Sequence, residues 1–288
     1  KALVFEGGAT IENPSNADTM YTPLEGAGEG GIQSITLSAP VEGILAPNVT
    51  ITGDGYGATA IAELDMDTRT VTNILITSRG WGYTAASTTI TLRDGLTDVT
   101  TLAFTVGESA TGGFAKDGTG LLQLYNRNTW AQWTKVLGGI LKVMDEGSIP
   151  GGTALTISNG ATIDFNNLAE PTFTAIDGTG GTAANGSVKV VGKDGVLSVS
   201  AQKFIDREST AIFGTLDLSA VTEIALTDAE VLTEEAKSLK GLNLFSATTV
   251  VLPDEDVSIT GVPKGWHVRL TDRGLRLAPD KGMMLLLR

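Results

Sequence analysis

Short runs of β-prone residues, each closed by Gly, Asn or Asp, recur along this chain at a spacing of roughly ten residues. Val-Thr-Ile at 49–51 and Leu-Thr-Ile at 155–157 show the rhythm. Apolar and polar side chains alternate, so an extended segment buries one face and wets the other. Similar runs occupy 2–5, 32–37, 70–77, 88–92, 101–106, 121–125, 140–143, 161–165, 187–191, 196–200, 212–218, 248–252, 266–270, 274–277 and 283–287. Glycine supplies 36 of the 288 residues, nearly twice the usual share, and provides the bends between the runs. Helical periodicity is confined to 228–239. There Thr227 and Glu230 have capping-box spacing, Val231, Leu232, Ala236 and Leu239 share a face, and Gly241 follows as a stop. The expected class is all-β with this one short helix.

The first third carries an internal repeat. Ile-Thr-Leu at 35–37 and Asn-Val-Thr-Ile-Thr at 48–52 are echoed about forty residues on by Ile-Leu-Ile at 74–76 and Thr-Thr-Ile-Thr-Leu at 88–92. Each copy has a Gly-aromatic turn nearby, Gly55-Tyr56-Gly57 and Gly80-Trp81-Gly82-Tyr83. Shifts in composition divide the chain into a β-repeat region at 1–107, a middle region at 108–220 and a C-terminal β region with the short helix at 221–288.

Several functions are excluded or left without residues. The chain has 20 Lys+Arg against 33 Asp+Glu, a net charge of −13, which opposes binding to nucleic acid or to an anionic membrane surface. Cysteine is absent, so no disulfide, thiolate metal site or cysteine nucleophile exists. The single histidine, His267, has no nucleophile or carboxylate at a diagnostic spacing and reads as structural. The longest apolar run, 283–287, is far too short to span a bilayer as a helix. The chain starts at Lys1 without Met, from which removal of a leader or a larger N-terminal part is expected.

Gly26-Ala27-Gly28-Glu29-Gly30-Gly31 satisfies a dinucleotide fingerprint but lies before a strand-like run, so it reads as a turn. Asp54, Asp65 and Asp67 supply oxygen ligands suited to Ca²⁺, and equally the short carboxylates that cap turns. Asp254-Glu255-Asp256 reads as a solvated loop. Trp81-Gly82-Tyr83, Trp130 and Trp133 are either sugar-stacking aromatics or core residues. Glycoside cleavage needs two carboxylates facing each other across a cleft; the acidic residues are scattered, and no Asp-x-Asp or Asp-Asp pair sits within a strand-like run. No catalytic residue, metal or cofactor is therefore assigned.

Residues 118–167 resemble the autotransporter-associated β-strand repeat of bacteria, also called the passenger-associated transport repeat. The matching positions are Gly118-Thr119-Gly120, Leu122, Leu124, Asn128-Thr129-Trp130, Thr134, Val136, Gly139-Ile140-Leu141 and Val143. They continue with Pro150-Gly151-Gly152, Leu155, Ile157, Gly160-Ala161, Ile163 and Phe165. Gln132-Trp133 departs from the small residues the family has there. The tail from 217 to 277 resembles, more loosely, segments that follow such repeats. The resemblance implies a parallel β-helix or β-solenoid used as a secreted stalk. It also implies a C-terminal membrane barrel, for which the tail is too short and too charged, so a processed passenger or another export route is expected.

Two apolar runs, Ala2-Leu3-Val4-Phe5 and Met283-Met284-Leu285-Leu286-Leu287, either complete this chain's own core or add as strands to a neighbouring copy. End-to-end addition would build a homopolymer. The expected protein is a non-enzymatic structural component of a bacterial surface, extracellular: a stalk, an adhesin or a self-assembling fibre subunit, with surface glycans as possible partners. A carbohydrate-binding or carbohydrate-cleaving β-helix is the alternative, and a phage-type fibre comes third.

Overall fold

The computed structural model describes residues 2–5, 7–109 and 111–280. The fold is all-β, 56% strand and 4% helix. Among the described residues, no helix is long and apolar enough to cross a membrane. The chain divides into two compact units, one of Lys1–Ala9 with Leu24–Gly113, the other of Thr10–Pro23 with Phe114–Arg288. The units change over at Gly113, and residues 10–23 belong with the later part of the chain.

The first unit is antiparallel apart from one short parallel pair. Strand Thr97–Glu108 lies between Glu29–Thr36 and Thr89–Asp94, and Pro47–Thr52 pairs with the far side of Thr89–Asp94. Tyr56–Asp65 and Thr70–Trp81 form a separate hairpin. The two copies of the sequence repeat are therefore not stacked modules. Their second halves meet directly, with Val49 opposite Leu92 and Ile51 opposite Ile90. Together they close one core around Ile32, Ile35, Ile44, Val71, Ile74, Tyr83, Ile90, Leu92 and Leu102.

The second unit is built mainly of parallel pairs. One row of partners runs Phe114, Thr134, Leu155, Ile176, at offsets of 20, 21 and 21 residues. A second runs Leu121, Ile140, Thr162, Thr182, at offsets of 19, 22 and 20. Alternation along each strand places Val136 and Ile157, and Leu122, Leu141 and Ile163, in fully buried rows, while Lys135, Thr156 and Lys142 lie outside them. Left-handed glycines turn the chain between the rows. At Gly139 (φ 59°) an added Cβ would overlap the Gly120 carbonyl oxygen. Parallel pairing continues from Thr172–Val190 through Thr210–Asp217 to Leu242–Val251, with Val188, Leu216 and Val250 buried in register. The antiparallel hairpin Trp266–Thr271/Gly274–Pro279 then packs its second strand on Leu242–Val251.

The helix expected at 228–239 is a correction. Two 3₁₀ turns, Ala229–Val231 and Glu235–Ser238, stand there, and the one α-helix among the described residues is Gln202–Asp206. Thr227 ends strand Glu223–Thr227, and its hydroxyl bonds the Asp228 carboxylate at 3.2 Å instead of capping a helix. Asp228 itself takes a left-handed conformation (φ 54°), and Leu232 leaves helical geometry. Propensity for one turn survives, and tertiary pairing of the preceding strand overrides the rest.

Candidate functional site

A groove of about 570 Å³ lies in the first unit and is lined by Glu29, Gly30, Gly82, Tyr83, Thr84 and Val106–Glu108. Two glycine motifs of the sequence, 26–31 and 80–83, converge on it. Gly82 N–H donates to Glu29 O at 3.1 Å and Tyr83 N–H to Gly30 O at 2.9 Å. Backbones approach so closely that a Cβ on Gly30 would stand 2.7 Å from Gly82 Cα. The fingerprint glycines thus serve chain packing, and a strand follows where a dinucleotide site needs a helix. Glu29 and Glu108 are cross-strand partners at a bulge, an arrangement of like charges that costs stability. No histidine or nucleophile–base pair accompanies them at the lining.

The aspartates read as calcium ligands or turn caps are occupied with turns. Asp54 accepts the Thr84 hydroxyl at 2.7 Å and the Thr84 N–H at 3.0 Å, and these bonds hold its carboxyl below the usual range. Asp65 takes the N–H groups of Asp67 (2.9 Å) and Thr68 (3.1 Å), which lower its pKa likewise. Asp67 is exposed. Among the described residues no three His, Cys, Asp or Glu side chains gather to hold a metal. Tyr83 and Trp130 are buried, Trp130 against Phe114 at 4.7 Å between ring centroids; Trp133 lies under the Lys135 ammonium. His267 is exposed and bonds Asp280 at 3.0 Å.

The N-terminal run pairs within its own chain. Ala2, Leu3 and Val4 lie parallel to Leu24, Glu25 and Gly26, Val4 is buried, and the Phe5 ring faces Gly57. Met283, Met284, Leu285, Leu286 and Leu287 lie outside the described residues.

Two polar clusters of the second unit carry no sequence signature. Lys116 is fully buried in the row of Val136 and Ile157. Its ammonium donates to the carbonyls of Asp117 (2.8 Å), Gly118 (2.6 Å) and Gly138 (3.0 Å). Desolvation lowers its pKa, with Asp117 opposing. Lys203, from the helix, bonds Asp177 at 2.8 Å and Thr210 at 2.6 Å, and Thr210 donates to Asp177 at 3.1 Å. Desolvation raises the Asp177 pKa, yet the Lys203 and Gly178 bonds outweigh it and hold the carboxyl below its usual range. Chemically these are clamps between neighbouring strands. Compared with known families, curated proteins and solved structures, the chain finds no match.

Proposed function

We propose that the second unit is a β-solenoid of about twenty-residue coils, and that the protein is a non-enzymatic structural element of a bacterial surface: a stalk, an adhesin or a fibre subunit. The observation that supports this most is the pair of parallel rows, Phe114–Thr134–Leu155–Ile176 and Leu121–Ile140–Thr162–Thr182, advancing by nearly constant offsets. Rows of that kind let each coil cover the edge of the previous one, so stiffness comes from repetition and needs no ligand. The resemblance of 118–167 to the autotransporter-associated repeat fits the same use. The polar groups at hand engage turns and strand clamps, and Trp130 and Tyr83 are packed inside, which leaves the carbohydrate-directed alternative fewer residues. Electron microscopy of native material beside its light-scattering mass tests the proposal. Slender rods or regular filaments are expected; compact particles that turn over a polysaccharide would overturn it.

A further inference from the structure

The sequence contains two Asn-Gly pairs, 159–160 and 185–186, and the fold treats them oppositely. Asn159 is exposed, its side chain makes no hydrogen bond, and nothing lies within 4 Å of where a Cβ on Gly160 would be. Asn185 is fastened. Its amide donates to Asp164 Oδ1 at 2.8 Å, its carbonyl accepts Asn167 N–H at 2.8 Å, and its backbone is left-handed (φ 51°). Gly186 is wedged so that a Cβ there would stand 2.7 Å from Phe165 Cβ.

We propose that Asn159-Gly160 is a site of spontaneous covalent ageing, and that the fold protects Asn185-Gly186 from the same reaction. The Gly160 backbone nitrogen, losing its proton, attacks Asn159 Cγ; the new C–N bond closes a succinimide and the side-chain nitrogen leaves as ammonia. Water then opens the ring at either carbonyl, giving aspartate or isoaspartate. The reaction needs room for the glycine nitrogen to reach the side chain and an amide free of hydrogen bonds; the open space at Gly160 offers both, and the Asp164 clamp denies the second at 185. The consequence is structural. Isoaspartate lengthens the main chain inside the turn closed by Ala161 N–H to Ser158 O (3.0 Å), directly before Ile163, which is buried between Leu141 and Ala183.

Peptide mass mapping of the full native chain, aged in mildly alkaline buffer, reads both sites at once. Conversion at Asn159 should exceed that at Asn185 by at least about ten-fold, the factor equivalent to about 1.4 kcal/mol of clamping. In denaturant the two rates should converge, since the local sequences are both Asn-Gly. In Asp164→Ala, conversion at Asn185 should rise while Asn159 stays as it was. Equal native rates, or an unchanged Asn159 in a native chain whose denatured form converts, would overturn the proposal.

Discussion

Lys116 offers the sharpest test of how the second unit is held, because two large terms oppose each other there. Consider Lys116→Met, which keeps an unbranched side chain in the buried row beside Val136 and removes the three N–H donors. Of the three carbonyls, Asp117 O keeps the Asn13 N–H at 3.0 Å. Gly118 O and Gly138 O are left without a donor. Gly118 and Gly138 are half-buried, and an orphaned acceptor that water does not reach costs about 1–3 kcal/mol, so the loss is at most about 6 kcal/mol. Removing a desolvated charge returns part of that, as the lowered pKa indicates. The net expectation is destabilisation of about 2–4 kcal/mol. Urea unfolding followed by tryptophan fluorescence measures it, as a lower midpoint at unchanged slope. The pH dependence supplies a second signature. A lysine whose folded pKa is lowered binds fewer protons than in the unfolded chain, so stability rises with pH between its folded and ordinary values. Lys116→Met should lack that rise. A variant as stable as the parent would refute the reasoning and show that the charge costs more than its hydrogen bonds return.

Three further outcomes follow from the same geometry. Ile157→Ala should lose about 2–5 kcal/mol, whereas its neighbour Thr156→Ala, on the opposite face, should stay within about 0.5 kcal/mol; denaturation midpoints of the two decide whether the burial alternation is real. Thr134→Val should cost about 1–3 kcal/mol, because Trp130 Nε1 loses its acceptor at 2.9 Å and Thr153 its partner at 3.0 Å, and a Trp130→Phe background should shrink that cost. Asp177 has a folded pKa below its unfolded one, so its contribution is present above the unfolded value and disappears as pH falls through the folded value; Asp177→Asn should flatten that acid limb in a pH series of melting temperatures.

Much of the strand pattern was open to reading because it is local. Runs at 121–125, 140–143 and 161–165 coincide closely with strands Leu121–Leu124, Ile140–Val143 and Thr162–Asp164, since period-two alternation and glycine bends need no partner to be visible. What depends on distant partners was not legible. Residues 10–23 join chain more than a hundred residues away, as in the bond from Asn13 Nδ2 to Leu121 O, and no feature of either segment announces the other. The N-terminal repeat was visible, but its antiparallel closure was not, because similar halves suit stacking and direct pairing equally. Lys116 escaped for another reason: lysine is almost never fully buried, so composition argues against the very position it occupies. The helix Gln202–Asp206, one turn and a half, is too short to leave a periodicity.

The edge of the C-terminal hairpin bears on how such a protein stays separate or joins others. Among the described residues, Trp266–Thr271 is bonded on one side only, to Gly274–Pro279. A free strand edge invites pairing, and the usual defence is charge upon it. This strand carries His267 and Arg269, both exposed, with His267 bonded to Asp280 at 3.0 Å, while Val268 and Leu270 are half-buried between them. The Arg269 charge and the His267–Asp280 hydrogen bond would have to be desolvated or matched by any strand laid alongside. His267→Val with Arg269→Val should therefore raise self-association, read as a concentration-dependent sedimentation coefficient with unchanged circular dichroism. Unaltered sedimentation in the double variant would show that charge is not what guards this edge. An increase would mean that a fibre joint, if the native protein forms one, lies on a surface other than this strand, because the native sequence spends two exposed polar positions opposing it.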